Sequence, residues 1–329
     1  MAIAPPCDIA LVLSGGNALG AYQAGAYQAL AEAGIVPDRI VGTSIGAING
    51  ALIAGNAPAD RLSRLADFWR PAPAAGADWL AIPDDWRRTG EVLGTLFSGR
   101  VGMFSPPGAT LPGGRPALYD TAPLLRTLAQ SVDLDRLNTG AIRYAATAVD
   151  LDSGRDAVFD TRALHVTAAH IGASGSLPPG FPPVTIEGVR YVDGGLSANL
   201  PLDPLLSDPG ERPVWCIAID LLPLAAHNPA TLGAMAERAQ DLTFAIQSRR
   251  SITRWTERYA TDPAFAARAV TLSLLTYSDQ QPEVAGKAMD FSPASVRRRW
   301  DAGHRDAGAL VARWRQGALP IGERGLRLT

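Results

Sequence analysis

The sequence is short of lysine and has no excess of either charge. Lys287 is the only lysine among the 329 residues, so nearly every positive charge is an arginine. The formal net charge is −2 at pH 7. Proteins that bind nucleic acid usually carry an excess of positive charge, and this chain carries none. We therefore expect no nucleic-acid partner.

Cysteines and long apolar runs are also scarce. Cys7 and Cys216 are the only cysteines, and both lie in apolar, strand-like segments, which predicts buried thiols in a reducing compartment rather than a disulfide framework. No run approaches the roughly 18 consecutive apolar residues that a membrane-spanning helix needs. The apolar N-terminal stretch has no positive residue before it and runs directly into a glycine-rich motif, which is atypical of a signal peptide. Together these features predict a soluble, cytoplasmic chain.

Strand and helix patterns alternate from the N-terminus. Hydrophobic residues make up 47% of the chain, which allows one large α/β domain with an insertion, or two modest domains. The pattern predicts a buried strand over 7–13, a helix over 18–33, a short strand over 39–41 and a helix over 45–54. A glycine turn joins each strand to the helix after it, and this repeat is typical of a parallel α/β sheet with right-handed crossovers.

Further elements are predicted along the rest of the chain. Helices are expected over 60–70, after the cap at 120–121, over 230–260 and over 293–315. Strands are expected over 143–149, 157–159, 185–186, 189–192, 214–219 and 270–275, the last of these being the final strand. Hairpin turns are expected at 152–154 and 187–188.

A loop-rich insertion at about 71–118 interrupts this order. Prolines and glycines are mixed there with four scattered aromatics: Trp79, Trp86, Phe97 and Phe104. A long irregular stretch in a compact domain is typical of a lid or binding loop, or of a poorly ordered insertion, and the sequence leaves both open.

Ser44 lies in the glycine-flanked run GTSIG. Gly42 and Gly46 suit a sharp turn between a strand and a helix, because a Cβ at either position would clash. The turn lifts the serine hydroxyl clear of the sheet, over a helix N-terminus whose free N–H groups favour negative charge. The pattern arises by chance in glycine-rich chains, but its place between a strand and a helix favours a nucleophilic serine for acyl transfer.

A second glycine-rich run, SGGNALG, follows the first strand. Successive N–H groups in such a loop can converge on one point, as in phosphate loops and oxyanion holes. The run fits neither the dinucleotide fingerprint nor the phosphate-loop motif, because Asn17 stands where the first needs its middle glycine and Ala21 where the second needs its lysine. The remaining interpretation is an oxyanion hole built by Gly15, Gly16 and Asn17.

Asp193 follows the predicted strand 189–192 and precedes two glycines. It could reach sideways into a cleft beside the nucleophile, although the same pattern also occurs as an ordinary β-turn aspartate. If Asp193 served directly as the base for Ser44, burial would have to raise its pKa, because an exposed aspartate is a feeble base.

A conventional triad would instead need a histidine base. The four histidines are His165, His170, His227 and His304, and none lies in a late loop of the kind that completes the Ser–Asp–His order of α/β-hydrolases. A Ser–His–Asp triad with His165 or His170 therefore stays open beside the Ser–Asp dyad.

These three motifs, in this order, resemble those of the patatin-like phospholipase family. The family pattern is a glycine-rich oxyanion loop, then G-x-S-x-G, then D-G-G or D-G-A. The block ASGSLPPGFPPV at 173–184 is similar to the family's block ahead of its aspartate strand, and the resemblance covers roughly residues 8–220. The runs at 18–25 and 289–293 resemble a bacterial subgroup that has its own C-terminal extension.

The resemblance implies a three-layer αβα hydrolase with a mainly parallel central sheet. Such an enzyme would cleave fatty acyl esters through a Ser44–Asp193 dyad and an acyl-serine intermediate, without a metal or an organic cofactor. It implies a catalytic domain over 1–220, which contains the insertion, and a mainly helical extension over 221–329 packed on it.

The oxyanion loop departs from the family pattern G-G-G-x-[RK]-G at two positions. Asn17 replaces the third glycine and Leu19 replaces the basic residue. Backbone N–H donors survive both changes, but the missing cation removes one partner for an anionic head group.

Three functions remain open at this point. The first is hydrolysis of lipid esters, as by a phospholipase A, a lysophospholipase or a lipid esterase. The second is transacylation with the same residues, and the third is lipid binding without catalysis. The arginine runs at 249–250 and 297–299 could contact an anionic membrane surface, although such runs are more often solvated helix faces. The sequence does not fix the oligomeric state.

Overall fold

The computed structural model describes residues 7–70, 84–106, 117–225, 229, 231–280 and 283–329. Nine strands in these ranges form one sheet: β1 (Asp8–Leu13), β2 (Arg39–Thr43), β3 (Arg143–Asp150), β4 (Asp156–Asp160), β5 (Val184–Ile186), β6 (Val189–Asp193), β7 (Val214–Asp220), β8 (Ala269–Thr276) and β9 (Gly325–Leu328). Their order across the sheet is β5-β6-β3-β2-β1-β7-β8-β9, and β4 also pairs with β3.

Parallel pairing dominates the sheet. β1 lies between β2 and β7, and parallel pairing continues through β3 on one side and through β8 and β9 on the other. The antiparallel pairs are β3 with β4, β3 with β6, and β5 with β6. The mainly parallel sheet and both hairpins predicted from the sequence are confirmed.

Helices cover both faces of the sheet. They are α1 (Ala21–Glu32), α2 (Ile45–Ala54), α3 (Arg61–Trp69), α4 (Asp84–Ser98), α5 (Ala122–Ser131), α6 (Leu134–Thr139), α7 (Ala168–Ser174), α8 (Asp203–Leu206), α9 (Leu232–Thr261), α10 (Pro263–Ala266) and α11 (Pro293–Arg315). Short 3₁₀ helices span Asn17–Gly20, Gly194–Leu196 and Lys287–Met289.

Alternate side chains of β1 point into two separate cores. Ile9, Leu11 and Leu13 belong to a core shared with α1, α2 and α11, whereas Ala10 and Val12 belong to a second core shared with α8 and α9. A strand that is buried on both faces has no polar alternation, which explains the continuous apolar run in the sequence. The two cores confirm the predicted three-layer αβα fold.

Helices α1 and α11 touch at two glycines. A Cβ on Gly25 would lie 1.9 Å from the carbonyl oxygen of Trp300, and a Cβ on Gly303 would lie 1.9 Å from that of Tyr22. Both distances are far shorter than any real carbon–oxygen contact, so only glycine permits this crossing. The contact places α11 directly beside the helix that follows the glycine-rich loop of β1.

Two expectations about elements are wrong. The strand predicted as the final one is followed by β9, which pairs in parallel with β8. The stretch predicted as loop-rich contains the 15-residue α4, whose residues include no proline and whose Arg88 and Val92 are buried on one face. Residues 71–83 and 107–116, including Trp79, lie outside the described residues.

The arginine run at 297–299 is not a uniform solvated face. Arg297 is exposed, but Arg299 is completely buried. Both cysteines are free and buried, which confirms the prediction of buried thiols without a disulfide. Within the described residues, no helix is long and apolar enough to span a bilayer.

Candidate active site

Ser44 lies at the carboxyl end of β2, directly before α2. Its backbone has φ +56° and ψ −125°, a conformation that non-glycine residues rarely adopt. A Cβ on Gly42 would lie 2.5 Å from the backbone nitrogen of Ala47, and one on Gly46 would lie 2.2 Å from the carbonyl oxygen of Leu13. The turn is therefore tight enough to require glycine on both sides of the serine.

Asp193 is the last residue of β6, which β3 separates from β2. The Gly195 N–H donates to its carboxylate at 2.7 Å, and the Ser44 hydroxyl is close enough to lower its pKa as a second hydrogen-bond donor. Its side chain is only 2% exposed. Burial raises the pKa of Asp193 to about 7, and the two hydrogen bonds only partly oppose that rise. The sheet therefore brings a serine and a buried aspartate together that are far apart in the sequence.

The glycine-rich loop after β1 lies beside Ser44. The Gly15 N–H donates to the carbonyl oxygen of Asn199 at 3.2 Å, so this predicted oxyanion donor already has an acceptor. In the described part of the chain, the N–H groups of Gly16 and Asn17 have no acceptor. These two groups are available to a ligand.

Two residues that sequence reasoning missed hold this geometry. Asn199 accepts from Gly15 through its carbonyl oxygen and donates its side-chain amide to the Gly15 carbonyl oxygen at 3.3 Å. The Ser174 hydroxyl oxygen accepts from the Ser44 N–H at 2.9 Å. Ser174 lies in the block at 173–184 that resembles the family's sequence, whereas no sequence motif around Asn199 indicates a role at the site.

A cavity of about 530 Å³ opens over the serine. Its lining includes Ser44, Asp193 and the loop residues 15–17. One part of the wall is apolar and is formed by Ile48, Met103, Phe104, Leu118, Leu124, Leu177 and Phe181. Another part is polar and is formed by Asn17, Glu237, Gln240, Asp241 and Lys287. The lining of the cavity thus includes an apolar cluster and a polar cluster as well as the Ser44 hydroxyl.

The single lysine of the chain lies in the polar wall. Lys287 Nζ donates to Asp241 at 2.5 Å and to Gln280 at 2.7 Å, and its side chain is almost completely buried. The Glu237 carboxylate accepts from the N–H groups of Gly286 and Lys287, both at 3.2 Å. Asp241 therefore neutralises the lysine, and this wall offers no excess positive charge.

None of the described histidines lines the cavity. His170 bonds through Nδ1 to Thr167 at the start of its own helix and packs on Phe159. His165 is exposed, and His304 pairs with Glu32 on the outside of α11. His227 lies outside the described residues. Within those residues, no group of three or more His, Cys, Asp or Glu could hold a metal ion.

Comparison with known proteins adds to this geometry. An uncharacterised NTE family protein of Mycobacterium tuberculosis is 31% identical over 202 residues, which is 61% of this chain and 28% of that protein. Lysophospholipase nte1 of Aspergillus terreus is 59% identical over 50 residues, which is 15% of this chain and 3% of that protein. The chain thus spans only a small part of the length of these curated relatives.

Solved structures and family models complete the comparison. VipD from Legionella pneumophila aligns with a TM-score of 0.44 and 14% identity, covering 94% of this chain and 67% of that one. The sequence model for patatin-like phospholipases matches residues 11–206, which is more than half of the chain and includes Ser44 and Asp193. The chain therefore belongs to the patatin-like phospholipase family.

Proposed function

We propose that the chain is a serine acyl hydrolase that cleaves carboxylic esters of lipids, with Ser44 as nucleophile and Asp193 as base. The observation that carries the proposal is the Ser44 hydroxyl beside the buried Asp193 carboxylate, in a cavity that is also lined by two residues whose N–H groups have no acceptor among the described residues. Family membership and a relative named as a lysophospholipase support the same class of substrate.

The reaction begins with proton transfer. Asp193 takes the proton of the Ser44 hydroxyl while the serine oxygen attacks the ester carbonyl carbon. The N–H groups of Gly16 and Asn17 bind the resulting oxyanion, and donors of this kind contribute about 3–4 kcal/mol each in comparable sites. The alcohol then leaves with the proton from Asp193, and acyl-Ser44 remains.

Hydrolysis of the acyl enzyme repeats this sequence, with water as the nucleophile and Ser44 as the leaving group. Asp193 accepts a proton from water, whose oxygen attacks the acyl carbonyl, and the acid is released as the proton returns to Ser44. An aspartate with its ordinary pKa would hold these protons too weakly, so the pKa of about 7 suits the task at neutral pH. In this mechanism the Ser44–Asp193 pair needs no histidine.

The two sides of the cavity suit the two parts of a lipid ester. The apolar wall around Phe104 and Phe181 would hold the acyl chain, and the polar wall around Glu237 and Lys287 would face the alcohol or head group. Because the lysine is already paired with Asp241, this wall supplies no free cation for an anionic head group.

Exposed apolar side chains near the cavity support contact with a membrane surface. On α4, Trp86, Leu93 and Phe97 are spaced seven and four residues apart, so they share one exposed face. Val101 is exposed in the turn that joins α4 to the cavity residue Phe104, and Leu118 is both exposed and part of the cavity wall. We call these five residues the apolar rim. The cytoplasmic location expected from the sequence stays a prediction.

A panel of chromogenic esters and defined lipids tests the hydrolase proposal, with Ser44→Ala and Asp193→Asn assayed alongside the wild type. We expect hydrolysis to be lost in the first variant and to fall by at least about a thousandfold in the second. A fluorophosphonate probe should label the wild type and leave Ser44→Ala unlabelled. Hydrolysis that survives Ser44→Ala would contradict the proposal.

Two further assays separate the alternatives. Replacing His165 and His170 together with Gln should leave turnover unchanged, whereas a triad based on either would lose it. Product analysis with glycerol or a lysolipid acceptor separates hydrolysis from transacylation, since only the latter forms a new ester. A wild type that neither hydrolyses esters nor reacts with the probe would indicate lipid binding alone.

A further inference from the structure

Arg299 is buried completely on α11, yet it reaches two segments of the cavity wall. We propose that Arg299 is a positioning residue that holds the oxyanion loop in register with Ser44. This inference rests on the proposed function, because it assigns a role in the same reaction. The residue lies far from the family's sequence motifs and touches neither Ser44 nor Asp193 directly.

All five N–H groups of the guanidinium have acceptors. Nε and Nη2 donate to the Glu283 carboxylate at 2.9 and 2.7 Å. Nη1 donates to the carbonyl oxygens of Ala18 at 3.1 Å and Asp290 at 2.7 Å, and Nη2 also donates to that of Lys287 at 3.0 Å. Glu283 alone would neutralise the charge of Arg299. The three hydrogen bonds to backbone carbonyl oxygens therefore indicate a second role, which is to hold the segments that carry them.

The Ala18 carbonyl belongs to the loop that carries the free donors. Ala18 follows Asn17 in the 3₁₀ turn, where the Leu19 N–H donates to the Gly16 carbonyl oxygen at 3.1 Å. On the other side, Gly15 is fixed by its pair of hydrogen bonds to Asn199. The N–H groups of Gly16 and Asn17 therefore lie between two anchors, and Arg299 is the second of them.

The other two backbone acceptors flank the second wall segment, Lys287–Met289. Holding the carbonyl oxygens of Lys287 and Asp290 fixes this segment at both ends. Its Met289 sulfur accepts from the side-chain amide of Asn17 at 3.4 Å. One guanidinium thus sets the position of the oxyanion loop and of the cavity wall that contacts it.

Arginine is the side chain that this geometry requires. Its planar fork presents five donors in fixed directions, whereas a lysine ammonium has three and can reach fewer of these acceptors at once. Burial alone would raise the pKa of Glu283, but Arg299, with smaller contributions from Tyr277 and Arg298, holds that pKa at about 2, so the carboxylate stays ionised. Glu283 therefore neutralises the buried charge of Arg299, while the remaining N–H groups of the guanidinium hold the oxyanion loop and the segment Lys287–Met289.

The test compares Arg299→Lys with a matched control. The control, Arg143→Lys, disrupts the bidentate pair with Asp160 at the amino end of β3, whereas Ser44 lies at the carboxyl end of the neighbouring strand β2. With the soluble substrate p-nitrophenyl butyrate, we expect kcat of Arg299→Lys to fall at least about tenfold with KM changed less than about threefold. Arg143→Lys should keep its kcat within about twofold of the wild type.

A transition-state analogue supplies a second measurement. The inhibition constant of a trifluoromethyl ketone should rise by the same factor as kcat/KM falls in Arg299→Lys, because both depend on binding of the oxyanion. If kcat falls only in proportion to the unfolded fraction seen by near-UV circular dichroism, Arg299 has a merely structural role and the inference is wrong.

A second variant covers a failure of Arg299→Lys to fold. Glu283→Gln keeps the arginine but removes the negative charge that Arg299 shares with Arg88 and Arg298. We expect a smaller fall in kcat without a matching change in KM, and an unchanged kcat would overturn the inference. If Ser44→Ala keeps full hydrolysis, the proposed function has failed. If Ser44→Ala is inactive while Arg299→Lys keeps its kcat, only the role of Arg299 is refuted.

Discussion

Asp193 is buried, so its ionised form lowers the free energy of unfolding. A carboxyl group with a pKa of about 7 in the folded chain, against an ordinary value of 3.8, binds its proton more tightly when folded. The stabilisation from this proton is fully present below about pH 4 and is lost as the pH rises to about 7. At neutral pH the chain thus carries a base whose ionised form opposes folding.

Asp193→Asn should remove this pH dependence. We expect the variant to gain stability relative to the wild type by about 1.4 kcal/mol for each pH unit between about pH 4 and about pH 7, and to keep a constant advantage above that. Urea denaturation of both proteins at several pH values measures the difference. The stability of the wild type has to be subtracted from that of the variant at each pH, because burial also raises the pKa of Asp220 to about 6 and both proteins share that titration. A difference that stays flat across this range would contradict the assignment.

The same titration sets the expected pH profile of catalysis. Since the base must be ionised, kcat/KM of the wild type should fall about tenfold for each pH unit below about pH 7. Steady-state rates on a soluble ester, measured where the protein is still folded, check this limb. A limb centred near pH 4 would mean that the base is an ordinary exposed carboxylate instead.

Ser44 and Asp193 could be predicted as site residues from the sequence because short motifs mark them, and the structure brings both to one cavity. The glycines around Ser44 are required by contacts within the same turn, so the signal is local. Asn199 and Arg299 carry no such signal. The bond from Arg299 to Ala18 spans 281 positions of the chain, and only the folded structure brings these residues together.

At the scale of elements, the crossing of α1 and α11 is the contact most sensitive to added volume. Gly303→Ala would push a methyl group into the Tyr22 carbonyl oxygen, and backbone atoms cannot move aside as a side chain can. We expect a loss of about 3 kcal/mol or more in the free energy of unfolding. Because α11 carries Arg299, kcat should fall as well.

Gly308→Ala on the same helix is the matched control. A Cβ at Gly308 would meet no heavy atom within 4 Å, so the change only improves helix propensity. It should stabilise the protein by up to about 1 kcal/mol. Urea denaturation of the two variants measures both effects, and equal stabilities would show that the crossing tolerates a Cβ.

The elements that the sequence predicted well have strong periodicity or full burial. The wrong expectations concern weak signals: β9 has four residues, of which only Leu326 is buried, and it depends on pairing with β8. The sequence did not predict α4 because this helix lies between proline-rich stretches. Its two buried residues, Arg88 and Val92, are four positions apart, which is too weak a periodicity to indicate a helix by itself. For β9 and α4 alike, contacts with distant parts of the chain decide the secondary structure that the local sequence does not specify.

At the scale of the whole molecule, the apolar rim predicts where the protein meets its substrate. The Trp86 and Phe97 side chains are 76% and 75% exposed, and each would gain about 1.5–3 kcal/mol on leaving water. Replacing both with Gln should weaken binding to zwitterionic vesicles at least tenfold, by about 1.4 kcal/mol or more. Cosedimentation measures binding, and hydrolysis of a soluble ester should be unchanged.

Val36→Gln is the control for this experiment. Val36 is also exposed, but it precedes β2 and therefore lies at the amino end of the strands, away from Ser44. It should bind vesicles as the wild type does. Equal binding by all three proteins would rule out the rim as the contact surface.

The division into a domain over 1–220 and an extension over 221–329 stays a prediction. Residues after 220 supply β8 and β9 to the same sheet, and α11 to the face of α1. They also supply Glu237, Asp241 and Lys287 to the cavity wall. The sequence pattern indicated helices there but could not show that they complete a wall formed by the first half.

Lys287 has a consequence for chemical labelling. The chain has one lysine side chain, and its amine is buried in an ion pair at the cavity wall. An amine-reactive reagent can therefore acylate this side chain only when the wall opens and the pair with Asp241 separates. The rate of acylation at Lys287, followed by peptide mass spectrometry with and without a bound lipid, measures how often the wall opens to solution.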